Sequence, residues 1–292
     1  MRLRDVTNLL LLAALWGGSF LFMRIGAGPF GAIPMAGLRT GIAALVLVAL
    51  LAARGGTAEM RVAPGALLIM GLLNSAIPFA LFGFAALSLK AGFSAILNAT
   101  APFWGALVAF AWLGDRITML RVFGLMVGFS GVVVLVWGKL DFGAGGTGPA
   151  ILAALGATLL YGISANYARR KLAGTGALAN SAGSQLAAAL VLLPFTVAYW
   201  PAVMPGVLPW LAVVAMAVLS TALAYVIYFR LIASVGATRA ITVTFLIPVT
   251  GMFWGWVFLA EAVTWNMAAG TVVILLGTAL TTGLIGARTT SV

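Results

Sequence analysis

The chain reads as an all-α polytopic membrane protein, with ten transmembrane helices arranged as two inverted five-helix repeats. Three observations predict this. Hydrophobic residues make up 63% of the 292 residues and charged ones only 7%, against about 45–50% and about 25% in ordinary globular chains. The apolar residues fall into ten runs long enough to cross a bilayer. The two halves also repeat each other at an offset of 145–146 residues.

The composition excludes most soluble classes. Sixteen Lys and Arg and five Asp and Glu cannot cover a soluble surface of this size, and a mean hydropathy of +1.17 makes lipid the solvent. The net charge of +11 looks like a nucleic-acid footprint, but the basic residues come singly or in twos and threes between apolar runs. They are loop decoration. The chain has no Cys and no His, which removes disulfides, thiol nucleophiles, the commonest metal ligand and the commonest general base. No enzyme chemistry, metal or cofactor is expected.

A membrane helix needs roughly 20 mostly apolar residues to cross about 30 Å of hydrocarbon. The first such run, 7–25, follows the basic start MRLRD, which resembles a signal peptide. No A-x-A site follows it, so it is read as an uncleaved helix. The next runs are 31–53, 65–86, 92–113 and 118–138, separated by RGGTAEMR (54–61) and GDR (114–116). After KLDFGAGG (139–146) come 148–168, 178–199, 207–229, 239–260 and 265–286. The expected repeat units are 7–138 and 148–286.

Ten spans put both termini on one side, and the basic residues choose it. With cytoplasmic termini, Arg2, Arg4, Arg54, Arg61, Arg116, Arg121, Arg169, Arg170, Lys171, Arg230, Arg239 and Arg288 fall inside. Only Arg24, Lys90 and Lys139 fall outside. Such asymmetry predicts a bacterial-type inner (cytoplasmic) membrane protein with both termini in the cytoplasm.

The repeat is carried by ordered matches. Trp16-Gly17 aligns with Tyr161-Gly162, Ser19 with Ser164, Arg24 with Arg169 and Ala95-Ile96 with Ala240-Ile241. One residue further on, Pro102 meets Pro248, Gly105 meets Gly251 and Asp115 meets Glu261; Thr118 meets Thr264, Gly124 meets Gly270 and Gly131 meets Gly277. Five spans is an odd number, so the second half must sit upside down. That is the architecture of secondary transporters, whose site lies near the midplane between the halves. A channel or a membrane enzyme built by duplication is the rival reading.

The motif LWGGSF in the first span resembles the EamA-type branch of the drug/metabolite transporter superfamily. So do LRTGIAAL in the second and APFWGALVAFAWLGDRIT..RVFGLMVGFSGVVVL across the fourth and fifth. The second copy, IPVTGMFWGWVFLAEAVTW..AAGTVVILLGTAL, carries the same skeleton. The usual acid after the fourth helix is Glu, where this chain has Asp115. The resemblance implies a metabolite exporter, nearest the aromatic amino-acid branch, whose partners are the bilayer and a small-molecule substrate. A homo-oligomer is possible and not implied. The alternative substrate class is a drug or quaternary amine, which would want an intramembrane carboxylate.

Candidate site residues follow from depth. Proline removes a helical donor and frees the carbonyl four residues earlier. Pro78, Pro102 and Pro248 thus pair with Asn74, Asn98 and Thr244, each putting a polar side chain beside a freed carbonyl. Ser164 follows Tyr161 by three, and Ser220 and Thr221 occupy the related depth in span 8. Trp16 and Tyr161 are mid-span rather than at the interfaces where such rings gather. Phe20 and Tyr225 lie near them in depth, with helix packing as the competing role. Arg39, eight residues into span 2, either serves a substrate carboxylate, organises helix carbonyls or snorkels outward. These residues are expected to line a cavity between spans 1, 3, 4, 6, 8 and 9. Asp115 and Glu261 fit helix-end roles, and the glycines of spans 5 and 10 fit close packing or a dimer face.

Overall fold

The computed structural model describes residues 2–143 and 146–284. Among the described residues there is no strand, and ten long helical segments follow one another. They are α1 (Leu3–Phe30), α2 (Ala32–Ala53), α3 (Pro64–Ser88), α4 (Ala91–Leu113) and α5 (Met119–Val136). The second set is α6 (Gly148–Lys171), α7 (Ala177–Ala198), α8 (Val207–Val235), α9 (Val243–Leu259) and α10 (Trp265–Thr281). The first eight are long and apolar enough to cross a membrane, and α9 and α10 are shorter apolar helices. The chain is a multi-pass membrane protein.

Two helices exceed their expected spans. α1 runs from Leu3 to Phe30, so Arg24 sits on a helix rather than in a connector. α8 continues to Val235, placing Arg230 on its last turns. Arg288 and the expected span end at 285–286 lie outside the described residues.

The apolar helices are interrupted where polar residues enter them. α3 contains a π segment, Leu72–Ala76, directly before Pro78. α8 contains another, Val218–Leu223. No proline follows that one, since Ala224 stands where α3 has Pro78. Instead the Thr221 hydroxyl donates to the Met216 carbonyl at 3.0 Å, five residues back, and satisfies the freed acceptor. α4 is broken outright between Asn98 and Ala101. Pro102 therefore opens a new helical piece and does not kink a continuous one. The break is lined with donors. Thr278 of α10 donates to the Ala99 carbonyl at 3.3 Å, and Thr100 donates to the Leu97 carbonyl at 2.8 Å. Irregular backbone at membrane depth survives only when satisfied in this way. Pro248, by contrast, sits inside α9 as expected.

Helix ends explain the repeated motif (G/A)(D/E)..T. Gly114 and Ala260 both take the left-handed conformation that stops α4 and α9, at φ 70° and 52°. Thr118 and Thr264 then cap the next helices by accepting from the N–H groups of Arg121 and Met267.

The packing follows the repeat. α1 lies against α8 and α9, while α6 lies against α3 and α4; α2 packs on α7, and α5 on α10. Each half thus fills its core with the other. The shared core is built of Phe20, Phe30, Phe82 and Phe103 from the first half and Ile151, Val213 and Met216 from the second, all buried. Leu45, Met126, Trp256 and Val272 are exposed around the outside, as a lipid-facing girth requires.

Candidate functional site

A polar cluster lies where the two π segments meet α2, α6 and α7. Its charge is Arg39. The side chain is 6% exposed, so it does not snorkel. Its Nε donates to Thr221 Oγ1 at 3.0 Å, on the π segment of α8. One guanidinium nitrogen lies 4.0 Å from Met23 Sδ, and the group stacks over the Phe79 ring at 3.7 Å. Every one of these partners is neutral. All five acids of the chain lie at helix ends or in connectors, and the two ion pairs among the described residues involve other arginines. A buried cation without a counter-ion is costly.

A hydrogen-bonded chain runs beside it. Ser164 Oγ donates to Asn74 Oδ1 at 3.1 Å, and Asn74 Nδ2 donates to Tyr225 OH at 3.2 Å. The phenols of Tyr161 and Tyr225 lie within electrostatic reach of the Arg39 charge. On the other side, Gln185 Nε2 donates to Ser75 Oγ at 2.8 Å.

Aromatic rings flank the cluster in two equivalent pairs. Trp16 of α1 lies 5.2 Å from Tyr228 of α8, and Tyr161 of α6 stacks at 6.1 Å on Phe82 of α3. Phe20 meets the same Phe82 edge-on at 5.5 Å and is buried. Trp16, Asn74, Tyr161 and Tyr225 are all partly exposed, although they sit in the interior of the sequence's apolar spans.

The structure thus joins Tyr161, Ser164, Asn74 and Tyr225 by direct hydrogen bonds, with Ser164 also donating to the Tyr161 carbonyl, and sets both phenols within electrostatic reach of Arg39. Ser220 is buried beside Thr221, and Pro78 supports the α3 bulge. Trp16 and Phe20 stand at the aromatic edge. Asn98 and Pro102 belong to the α4 break, and Thr244 Oγ1 donates to the Ile241 carbonyl at 2.8 Å near Pro248. No hydrogen bond among the described residues joins those four to the cluster. Helices α2 and α7 also contribute where α4 and α9 had been expected. Gln185, Ser75, Phe79 and Tyr228 went unnoticed in the sequence, although register was a signal: AGLR at 36–39 matches AGSQ at 182–185.

Both loop acids are occupied structurally. Asp115 receives two hydrogen bonds from Arg169 at 2.8 and 2.9 Å, which hold its carboxyl below the usual carboxylate range. Glu261 accepts the Ala91 N–H at 2.9 Å and faces Arg24 at 3.8 Å. Burial nevertheless pushes its carboxyl up. With Arg24 and Lys90 it borders an open pocket of about 680 Å³ at one end of the bundle. The two cations there are engaged with helix-end carbonyls, Arg24 on Ala86 and Leu87, Lys90 on Ala262.

The comparisons with known proteins agree with this architecture. The chain is 25% identical over 280 residues to the uncharacterized transporter YvbV of Bacillus subtilis (strain 168), covering 93% of this chain and 89% of that one. It is 23% identical over 275 residues to the uncharacterized transporter YoaV of the same organism, covering 90% and 91%. A protein of known crystal structure superposes with a TM-score of 0.68 at 22% identity, over 97% of this chain and 98% of that one, which supports the fold. The profile of the EamA-like transporter family matches residues 6–137 and again 148–283. Two copies of that profile, over nearly the whole chain, make this protein a member of the EamA-like transporter family within the drug/metabolite transporter superfamily.

Proposed function

We propose that this transporter exports amino acids, aromatic ones among them, and related small metabolites by alternating access. The carrying observation is Arg39, a buried cation whose partners are all neutral, stacked on Phe79 with the Tyr161 and Tyr225 phenols within reach of its charge. A substrate carboxylate would neutralise it by a charge-assisted hydrogen bond, and the rings would accept an apolar side chain. A quaternary amine meets the wrong sign of charge there. The moving parts are the two five-helix halves, 7–138 and 148–286, with the second inverted relative to the first. The basic asymmetry favours a cytoplasmic membrane with both termini inside. Labelling of a cysteine placed at Lys171 is expected only after the membrane is opened; labelling in intact cells would reverse the topology.

Transport is expected to run down the substrate's own gradient. Proton-coupled carriers hold the proton on an intramembrane Asp, Glu or His, and every acid here is at a helix end or in a connector. Glu261 is the acid whose carboxyl is raised by burial, which makes it the one to test for a proton. Its oxygen nonetheless serves as an acceptor for the start of α4. The test is purified protein in liposomes, given amino acids, quaternary amines and sugars with and without a pH gradient at fixed membrane potential. Amino-acid uptake that is indifferent to the gradient, and retained in Glu261→Gln, is the expected result. Gradient-dependent concentration lost in that variant would establish proton coupling, and uptake confined to amines or sugars would overturn the substrate reading.

A further inference from the structure

The polar cluster has two poles of unlike chemistry. Positions 39 and 185 are equivalents when AGLR (36–39) is set on AGSQ (182–185), at the 146-residue offset, and each reaches across to the π segment of the opposite half. One carries a guanidinium and the other an amide. The Arg39 head sits between Thr221 and the Phe79 ring. The Gln185 head sits on Ser75 with the Tyr225 phenol close beside it, short of hydrogen-bond geometry. Ser75 and Phe79 are four residues apart on α3, as Thr221 and Tyr225 are on α8. The two heads therefore lie about one helical turn apart, roughly 6 Å at 1.5 Å per residue.

The amide pole is not saturated. Gln185 is fully buried, and its Oε1 has no hydrogen-bond partner in the protein. Ser220, adjacent to the Thr221 that receives Arg39, is also buried with its Oγ unpartnered. Buried oxygens are nearly always paired, so the open Gln185 Oε1 calls for a donor, whereas Ser220, next to Thr221, lies by depth at the Arg39 end.

We infer that Gln185 forms an ammonium-recognising pole set against the Arg39 anion pole, so that the site selects α-amino acids by their free amino group as well as their carboxylate. A carboxylate and an ammonium on one carbon, each with its hydrogen bonds, span about the separation of the two heads. This rests on the amino-acid reading above and extends it to a further specificity-determining residue. The neutral amide oxygen also accounts for ammonium binding without an intramembrane acid.

The experiment is calorimetric binding to the purified full chain of L-phenylalanine and of 3-phenylpropionate, its analogue lacking the amino group. Wild-type protein is expected to prefer phenylalanine. Gln185→Met, which keeps length and bulk, should cut that preference about tenfold, the size of a lost hydrogen bond to a charged group. Gln185→Asn, which keeps the amide on a shorter stem, should cut it less than Gln185→Met does. In both variants the affinity for 3-phenylpropionate should hold. A preference unchanged in Gln185→Met, or affinities for both compounds falling together, would overturn the assignment. So would a wild type that binds the two compounds equally, with the amino-acid reading left standing. A wild type that binds neither would overturn the amino-acid reading itself.

Discussion

Replacing Arg39 by leucine is expected to silence transport while leaving the protein at least as stable as before. The two effects have opposite signs because the charge is buried without a counter-ion. Moving a cation into low dielectric costs several kcal/mol, and only well-placed partners offset it. Arg39 has a hydroxyl, a thioether and a ring. Its main acceptor, Thr221, already satisfies the Met216 carbonyl and keeps that bond when the arginine goes. Leucine is shorter and refills only part of the space over Phe79, a smaller cost than that of the buried unpaired charge it removes, so the melting temperature should hold or rise. A substrate carboxylate, however, would lose its cation, a loss of about 3 kcal/mol or roughly a hundredfold in kcat/KM. Arg39→Lys should fall between, since an ammonium keeps the charge without the planar fork and stacking. Thermal unfolding in detergent and liposome uptake of the same preparations would decide it. A markedly lower melting temperature with normal uptake would make Arg39 a packing residue.

The two poles of this site differ in how plainly the sequence announces them. A lone arginine eight residues into an apolar span stands out against the 7% charged background, so Arg39 could be named without any structure. Gln185 is neutral, registers in no charge inventory, and is found only when the repeat is carried through to position 39. The bulges show the same contrast. Pro78 advertises one in α3, but its counterpart in α8 has no proline and is held by Thr221 reaching five residues back, which no propensity reveals. Depth was readable and helix continuity was not. Asn98 and Pro102 look like a kinked helix in sequence, and Thr100, Thr158 and Thr278 instead support a full break. The acids at 115 and 261 were correctly placed at helix ends, because a charged residue following a left-handed stop has few other places to be.

The glycines were readable as a close-packing surface but not as to what they pack against, and the structure shows that they pack on each other. A Cβ on Gly277 would land on the backbone of Gly128 and 2.7 Å from the Gly124 carbonyl. One on Gly124 would come within 2.7 Å of the Thr281 nitrogen, and one on Gly131 within 2.7 Å of the Ile274 nitrogen. These are backbone atoms of α5 and α10, which cannot swing aside as a side-chain tip can. In lipid, where the hydrophobic effect does not drive helices together, such close backbone contact is a principal source of association. α5 and α10 come from different halves, so this seam joins the halves. Gly277→Leu is therefore expected to cost more than about 3 kcal/mol, beyond ordinary overpacking because the clash is with main chain. Little folded protein should reach the membrane, and what does should unfold at lower temperature. Gly41→Ala, on a helix with open space at that position, should be neutral or mildly stabilising by helix propensity. Membrane abundance, size-exclusion profile and thermal unfolding of the two variants would separate the possibilities. If the stripe served a dimer, Gly277→Leu would give a stable, folded monomer in place of an oligomer. The packing of α5 on α10 predicts loss of the monomer's own fold.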